Sequence, residues 1–409
     1  MSTDKIAKKG LHGIIYEYFG MFIISISGVI SYIVLIRYLT KTDYGVFSVF
    51  KSAFAFLFLL IAFGLPHIFQ RYIPEFLEKK HKSKAVVLVK KSFILFSFIF
   101  FISTLIILIF RNELFQLLKL DYNWELFLLF ILGLFSICFL RIFNMVLHSS
   151  FRQKQFNLTQ AIAYVLKLIL FVIVSIYNWG LEGIIYAFVI SNIFWFAIKV
   201  YLVRDFLFGE GKIFQPLPIK RMFKFGIFKY FNDMGTIILD VLLDILIISA
   251  ILGTKKAGEY AFAVSIATMI TAWYPGKLGI RVIIPIFIQQ YTKNKDRNQL
   301  SELLIRMIKV ISFVAIPLML ISVIFSGQII SNIFNSEYLN TALVFIIAII
   351  SFSIYHIFSP GFNAVLTTLE KSNILFYSRI FTIYNLIMDI ILIKYFGILG
   401  AIIATGTTL

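Results

Sequence analysis

The sequence predicts an all-α membrane protein of many spans, built from two parallel six-helix repeats that form two lobes around a central cavity. Three observations carry this reading. Hydrophobic residues fill 60% of the 409 positions and charged residues only 14%, well below the roughly 25% charged of soluble domains. The apolar residues gather into runs of about 20 or more, the length an α-helix needs to cross the hydrocarbon core. Finally, two helix-opening motifs recur in the second half. Gly180-Leu-Glu-Gly-Ile-Ile-Tyr-Ala187 returns 217 residues later as Gly397-Ile-Leu-Gly-Ala-Ile-Ile-Ala404. Leu39 with Gly45-Val-Phe-Ser48 returns after 213 residues as Leu252 with Gly258-Glu-Tyr-Ala261.

Taken in order, a basic start with Lys5, Lys8 and Lys9 precedes the first apolar run. That run is too long for the core of a secretory signal and no small-residue cleavage site follows, so it is read as helix 1. The expected spans are 14–36, 44–69, 91–110, 125–147, 157–177 and 183–203 in the first half. In the second they are 222–252, 259–289, 307–326, 341–364, 374–396 and 398 onward. With 47 phenylalanines, a mean hydropathy of +0.93 and charge concentrated between the runs, these are helices and not the short alternating strands of an outer-membrane barrel. The repeat implies that helix 12 continues past Leu409, so the last helix is read as truncated.

Lysine and arginine set the orientation. The loops on the N-terminal side of the membrane carry 26 of them and the opposite loops 8. The N-terminus is therefore expected in the cytoplasm, with the basic loops facing anionic membrane lipids. This distribution also accounts for the net charge of +18, which would indicate a nucleic-acid partner only if it were gathered on a soluble face. Cys138 is the one cysteine, which excludes an internal disulfide or thiolate metal site, and the five histidines lack metal-ligand spacing. The Gly- and Pro-containing connection at 204–221 divides an N-terminal lobe, 1–203, from a C-terminal lobe, 222–409. Six crossings return the chain to its starting side, so the lobes share one orientation and the natural cavity lies between them.

Helix 7 is the unusual span. It carries Lys229, Asp233, Asp240 and Asp244, which fall within about 60° of one another on an α-helix. Each ion costs about 2.5–3.5 kcal/mol at mid-bilayer on insertion scales, so such a stripe faces protein or water. It is read as the lining of a polar cavity with H⁺ or Na⁺ coupling, or alternatively as a salt-bridged packing seam. Four more cations fall inside expected spans: Arg141, Lys167, Lys277 and Arg281. Lys277 and Arg281 are four apart and share a face, where Asp240 and Asp244 could neutralise them. Pro275, Pro285, Pro317 and Pro360 interrupt the later spans and offer bends.

The helix 1 exit IRYLTKTDYGVFSVF (36–50), the helix 2 exit QRYIPEF (70–76), the segment GTKKAGEYAFA (253–263) after the Asp-bearing helix, and the two GLEG/GILG openings resemble the polysaccharide-transport flippases. Those belong to the superfamily that also holds MATE-type multidrug exporters and lipid II flippases. The resemblance implies a MATE-like pair of lobes and passage of an undecaprenyl-pyrophosphate-linked glycan across the bacterial cytoplasmic membrane. Polysaccharide polymerase machinery is a further implied partner. Arg141, Lys167, Lys277 and Arg281 are then the candidate pyrophosphate contacts, because guanidinium and ammonium groups suit phosphate. A lipid II flippase or multidrug exporter would share the fold. A membrane-bound polymerase is a weaker fit, since the sequence has neither a phosphate-binding GxxxxGK[ST] loop nor an Asp-x-Asp pair. No cofactor and no catalytic residue is expected.

Overall fold

The computed structural model describes residues 3–121, 123–210, 217–238, 241–275, 287, 291, 296–369, 371, 374 and 380–409, and for 3–19, 21, 228, 231–238, 297 and 380 the backbone alone. No strand occurs among the described residues. The helices are α1 (Thr3–Tyr38), α2 (Lys41–Ala62), α3 (Leu65–Glu78), α4 (Lys82–Ile109), α5 (Arg111–Leu117), α6 (Trp124–Ser149), α7 (Gln153–Tyr177) and α8 (Gly180–Leu207). They continue with α9 (Ile219–Ile238), α10 (Val241–Leu252), α11 (Thr254–Thr271) and α12 (Arg297–Ile324). After a short π-helical and 3₁₀ stretch from Ile329 to Thr341 come α13 (Ala342–Thr368), α14 (Ile380–Phe396) and α15 (Ile398–Thr408).

Seven described helices are long and apolar enough to cross a membrane, among them α2, α4, α6, α7 and α8. Their surfaces fit that role. On α4, Ile94, Phe98, Phe101 and Ile109 are all at least 60% exposed, a face that water would reject and hydrocarbon would accept. The expected span 44–69 breaks in two, because Phe63 and Gly64 take positive φ values of 41° and 76° and Pro66 follows in the first turn of α3. The expected helix 222–252 is likewise described as two helices, with 239–240 outside the described residues. By contrast, Pro317 and Pro360 lie inside α12 and α13 without ending them.

The chain forms two compact units. The first comprises Met1–Leu39 and Phe50–Met234. Its core is aromatic: Phe50, Phe54, Phe115 and Phe130 pack edge-on or tilted with ring centroids 5.1–6.4 Å apart, geometries that align ring edges with ring faces. The start of α9 belongs here, since Phe63 packs on Tyr230 at 4.8 Å and a Cβ on Gly64 would meet the Gly226 carbonyl at 2.3 Å. The second unit comprises Thr40–Val49 and Gly235–Leu409. The first turns of α2 thus pack in the second unit although they belong to the first sequence repeat. The cause is a glycine crossing: a Cβ on Gly45 would lie 1.9 Å from the Thr254 carbonyl oxygen and one on Gly258 2.4 Å from that of Lys41. These are the two glycines that the 213-residue repeat aligns. The second repeat match is equally physical, because Gly180 and Gly397 both take φ near +60°, at 65° and 61°, where an L side chain is strained.

Candidate functional site

In the second unit the site is acidic. Asp244 on α10 and Asp389 on α14 are both fully buried. Tyr260 of α11 donates its hydroxyl to Asp244 Oδ2 at 2.5 Å, and Thr405 of α15 donates to the same oxygen at 2.8 Å. Asp389 lies close enough to Asp244 for the two carboxyl groups to interact directly. Contact between two buried carboxyls requires a shared proton or a cation between them. Asn385, also fully buried, lies one turn before Asp389 on the same face of α14. No group of three or more His, Cys, Asp or Glu with metal-holding geometry occurs among the described residues. What the helices assemble instead is a carboxyl pair with neutral oxygens beside it, the hard-donor set that suits a proton or a small monovalent cation.

In the first unit the site is basic. Lys167 on α7 holds its ammonium 4.2 Å from the Tyr164 ring centre, and Lys51 on α2 is near enough to repel it. Arg141 on α6 lies over Phe58 at 5.0 Å and also acts electrostatically on Tyr164. These cations sit near the middle of their helices: Lys51 is ten residues into α2 and Arg141 eight from the end of α6, about 15 and 12 Å by helical rise. Neither α4 nor α7 contains an acidic residue, and those of α6 and α8, Glu125, Glu182 and Asp205, lie at or near the helix ends. Charges at this depth, in α2, α6 and α7 whose own acids, Asp43 and Glu125, lie in the first turn, belong on a surface that water and anions reach.

A third charged cluster is fully paired. Lys41, at the start of α2, bonds to Glu259 Oε1 at 3.3 Å and to Asn340 Oδ1 at 3.1 Å. The Asn340 amide donates to Glu259 Oε1 at 3.0 Å, and Lys256 bonds to Glu259 Oε2 at 2.7 Å. Glu259 is 1% exposed. This network ties down the glycine crossing.

Of the residues read from the sequence, Arg141, Lys167 and Asp244 fall in these clusters. Lys277, Arg281 and Asp240 lie outside the described residues. Asp233 is described by its backbone in α9, and Lys229 is exposed on α9 in the first unit, whereas Asp244 belongs to the second. Of the stripe, Lys229 and Asp244 have described side chains, and Asp244 Oδ2 accepts from Tyr260 and Thr405. Three residues, Lys51, Asn385 and Tyr260, escape the site reading, and Asp389 enters it only as a weaker candidate. Lys51 counts with the preceding loop although it falls within the expected span 44–69. Asp389 and Asn385 carried a findable signal, a second acid with a polar partner four residues away inside a span. Tyr260 carried none, being an aromatic residue in an aromatic-rich chain.

The chain is similar to known membrane transporters. A solved lipid II flippase, MurJ in an inward closed conformation, matches 96% of this chain and 85% of its own at 17% identity, with a TM-score of 0.72. An inward-facing multidrug resistance MATE family transporter matches 97% of this chain and 95% of its own at 16% identity, with a TM-score of 0.74. The fold is therefore of the MurJ and MATE type. A protein described as an uncharacterized membrane protein of Methanocaldococcus jannaschii is 24% identical over 99% of this chain and 82% of its own length. The profile of the family described as "Polysaccharide biosynthesis protein" matches residues 11–290, and the chain belongs to that family.

Proposed function

We propose that this protein is a flippase that carries an undecaprenyl-pyrophosphate-linked oligosaccharide across the bacterial cytoplasmic membrane by alternating access, driven by H⁺ or Na⁺, with its N-terminus in the cytoplasm. The observation that supports this most is the group of mid-helix cations Lys51, Arg141 and Lys167 around Tyr164, in helices whose interiors carry no acid. A pyrophosphate needs such donors, while the prenyl tail can stay in lipid. Lys277 and Arg281 are assigned to the same head group on sequence grounds. Asp244 and Asp389 take the coupling ion, and Lys229, Asp233 and Asp240 are assigned to the same coupling role on sequence grounds. No chemical step is assigned to the chain, and polysaccharide polymerase machinery would receive its product.

The test is complementation. In a host lacking the gene, lipid-linked oligosaccharide should accumulate on the cytoplasmic leaflet, and wild type should clear it while Arg141→Ala with Lys167→Ala should not. The carboxyl pair also favours a second reading, an ion-coupled exporter of the multidrug type. Unchanged surface glycan with altered drug sensitivity in the deletion strain would replace the first reading by that one.

A further inference from the structure

One charged group remains that neither cluster uses. Lys199 on α8 is fully buried, at 0% exposure. Its ammonium lies 4.6 Å from the Phe156 ring centre and 5.5 Å from that of Trp195, and its one hydrogen bond is a long one, 3.4 Å to the Phe156 carbonyl. Among the described residues no carboxylate pairs with it. One helical turn back, the Trp195 indole N–H is buried without a hydrogen-bond partner, and one turn further the Asn192 side-chain amide nitrogen is as well. Trp195 and Asn192 are each 8% exposed. Residues 192, 195 and 199 lie within about 60° of one another around the helix, and this face is turned inward: Trp195 packs on Leu140 of α6 and on Ala163 and Tyr164 of α7.

A buried donor left without an acceptor costs about 1–3 kcal/mol, and more for a charged group. Here two such donors and a charge sit on one buried face with a single weak acceptor. Rings can shield an ammonium but cannot accept from three N–H groups. What the face lacks is negative charge with several acceptor directions. From this we infer that Lys199, Trp195 and Asn192 form a closed binding site for a small inorganic anion of chloride size. A monovalent ion balances the one lysine charge. A water molecule would satisfy one or two donors but leave the charge unbalanced. The site is distinct from the Lys51, Arg141 and Lys167 group, with which it shares the Tyr164–Trp195 ring contact at 6.3 Å.

The experiment uses the purified full chain in detergent, with no lipid-linked sugar present. The thermal unfolding midpoint is measured in sodium chloride, sodium bromide and sodium gluconate at equal sodium and ionic strength. Both halides should raise the midpoint saturably by a few degrees over gluconate. Lys199→Met should abolish that rise, and Arg141→Ala with Lys167→Ala should keep it, which separates this site from the substrate reading. Should Lys199→Met not fold, Trp195→Phe retains the ring, removes the N–H and should shift halide half-saturation several-fold upward. A bromide-soaked crystal should show anomalous density beside Lys199 and Trp195. Equal midpoints in all three salts, a halide response unchanged in Lys199→Met or Trp195→Phe, or no bromide at that position would each overturn the proposal.

Discussion

In the first unit the mid-helix charges of α2, α6, α7 and α8 are cations, Lys51, Arg141, Lys167 and Lys199, and the last three lie over rings of Phe58, Tyr164, Phe156 and Trp195. In the second unit the buried charges among the described residues are carboxylates, Asp244, Asp389 and Glu259, set among hydroxyls, an amide and lysines. The repeats that built the two units are alike in their glycines and helix openings, whereas the mid-helix charges of α2, α6, α7 and α8 are basic and the buried charges described in the second unit are acidic. Aromatic faces tolerate a cation without satisfying its N–H donors, so the first unit retains affinity for anions. Hydroxyl donors stabilise a carboxylate but leave a carboxyl pair needing a proton or metal cation, which is why the coupling ion is proposed for the second unit. A transporter that exchanges an anionic head group against a cation gradient needs both.

This contrast yields predictions that can break it. The largest effect should come from the acidic side. Changing Asp244 and Asp389 together to Asn should remove gradient-driven transport altogether while the shape of the site stays the same. In proteoliposomes, uptake of a fluorescent lipid-linked sugar should become indifferent to both Na⁺ and pH gradients. Persistence of either dependence would move the coupling site elsewhere.

Next in size is the basic side. Charge-assisted hydrogen bonds are worth about 1.5–3 kcal/mol each, so removing one donor should weaken pyrophosphate binding about 10- to 100-fold. Arg141→Ala and Lys167→Ala should each do so in a binding titration with a prenyl pyrophosphate, and Lys51→Ala should fall at the lower end. Unaltered affinity for the pyrophosphate, with altered affinity for organic cations, would favour the exporter reading.

Glu259 sharpens the comparison because it is a buried carboxylate that is already paired. Removing one partner of a buried ion pair costs about 3–5 kcal/mol. Glu259→Ala should therefore lower the thermal unfolding midpoint markedly, with the ion dependence of the folded fraction unchanged. Loss of ion dependence in this variant would show that the second unit does not separate its paired from its functional acids.

Much of this architecture was legible in the sequence, and the reasons are specific. The 213- and 217-residue repeats were visible because they rest on glycines, at a backbone crossing in one case and at positive φ in the other, where no other residue serves as well. Helix existence followed from hydropathy. Helix ends did not: the break at Phe63–Gly64 leaves no polar gap. Asp244 was found because an acid in a span is rare. Its contacts with Tyr260, Thr405 and Asp389 were not, since they join residues up to 161 positions apart and depend on packing that periodicity does not encode. Lys199 was assigned to a loop because a lysine near the end of a span ordinarily snorkels to the interface, and only its burial shows that it does not.

The smallest predicted effect isolates what the rings contribute. Tyr164 stands beneath the Lys167 ammonium at 4.2 Å and packs on Trp195, so it supports a cation without neutralising it. Tyr164→Phe keeps the ring face and loses the hydroxyl, whereas Tyr164→Leu loses the face. A cation–π contact is worth about 0.5–1 kcal/mol where exposed and about 2 where desolvated. Pyrophosphate affinity should therefore change less than about threefold in Tyr164→Phe and by about 3- to 30-fold in Tyr164→Leu. The direction is informative as well. If the ring only positions Lys167, losing it should weaken binding as above. If it competes with the substrate for the ammonium, Tyr164→Leu should instead bind the pyrophosphate more tightly, and the first unit would then be holding its cations back until an anion arrives.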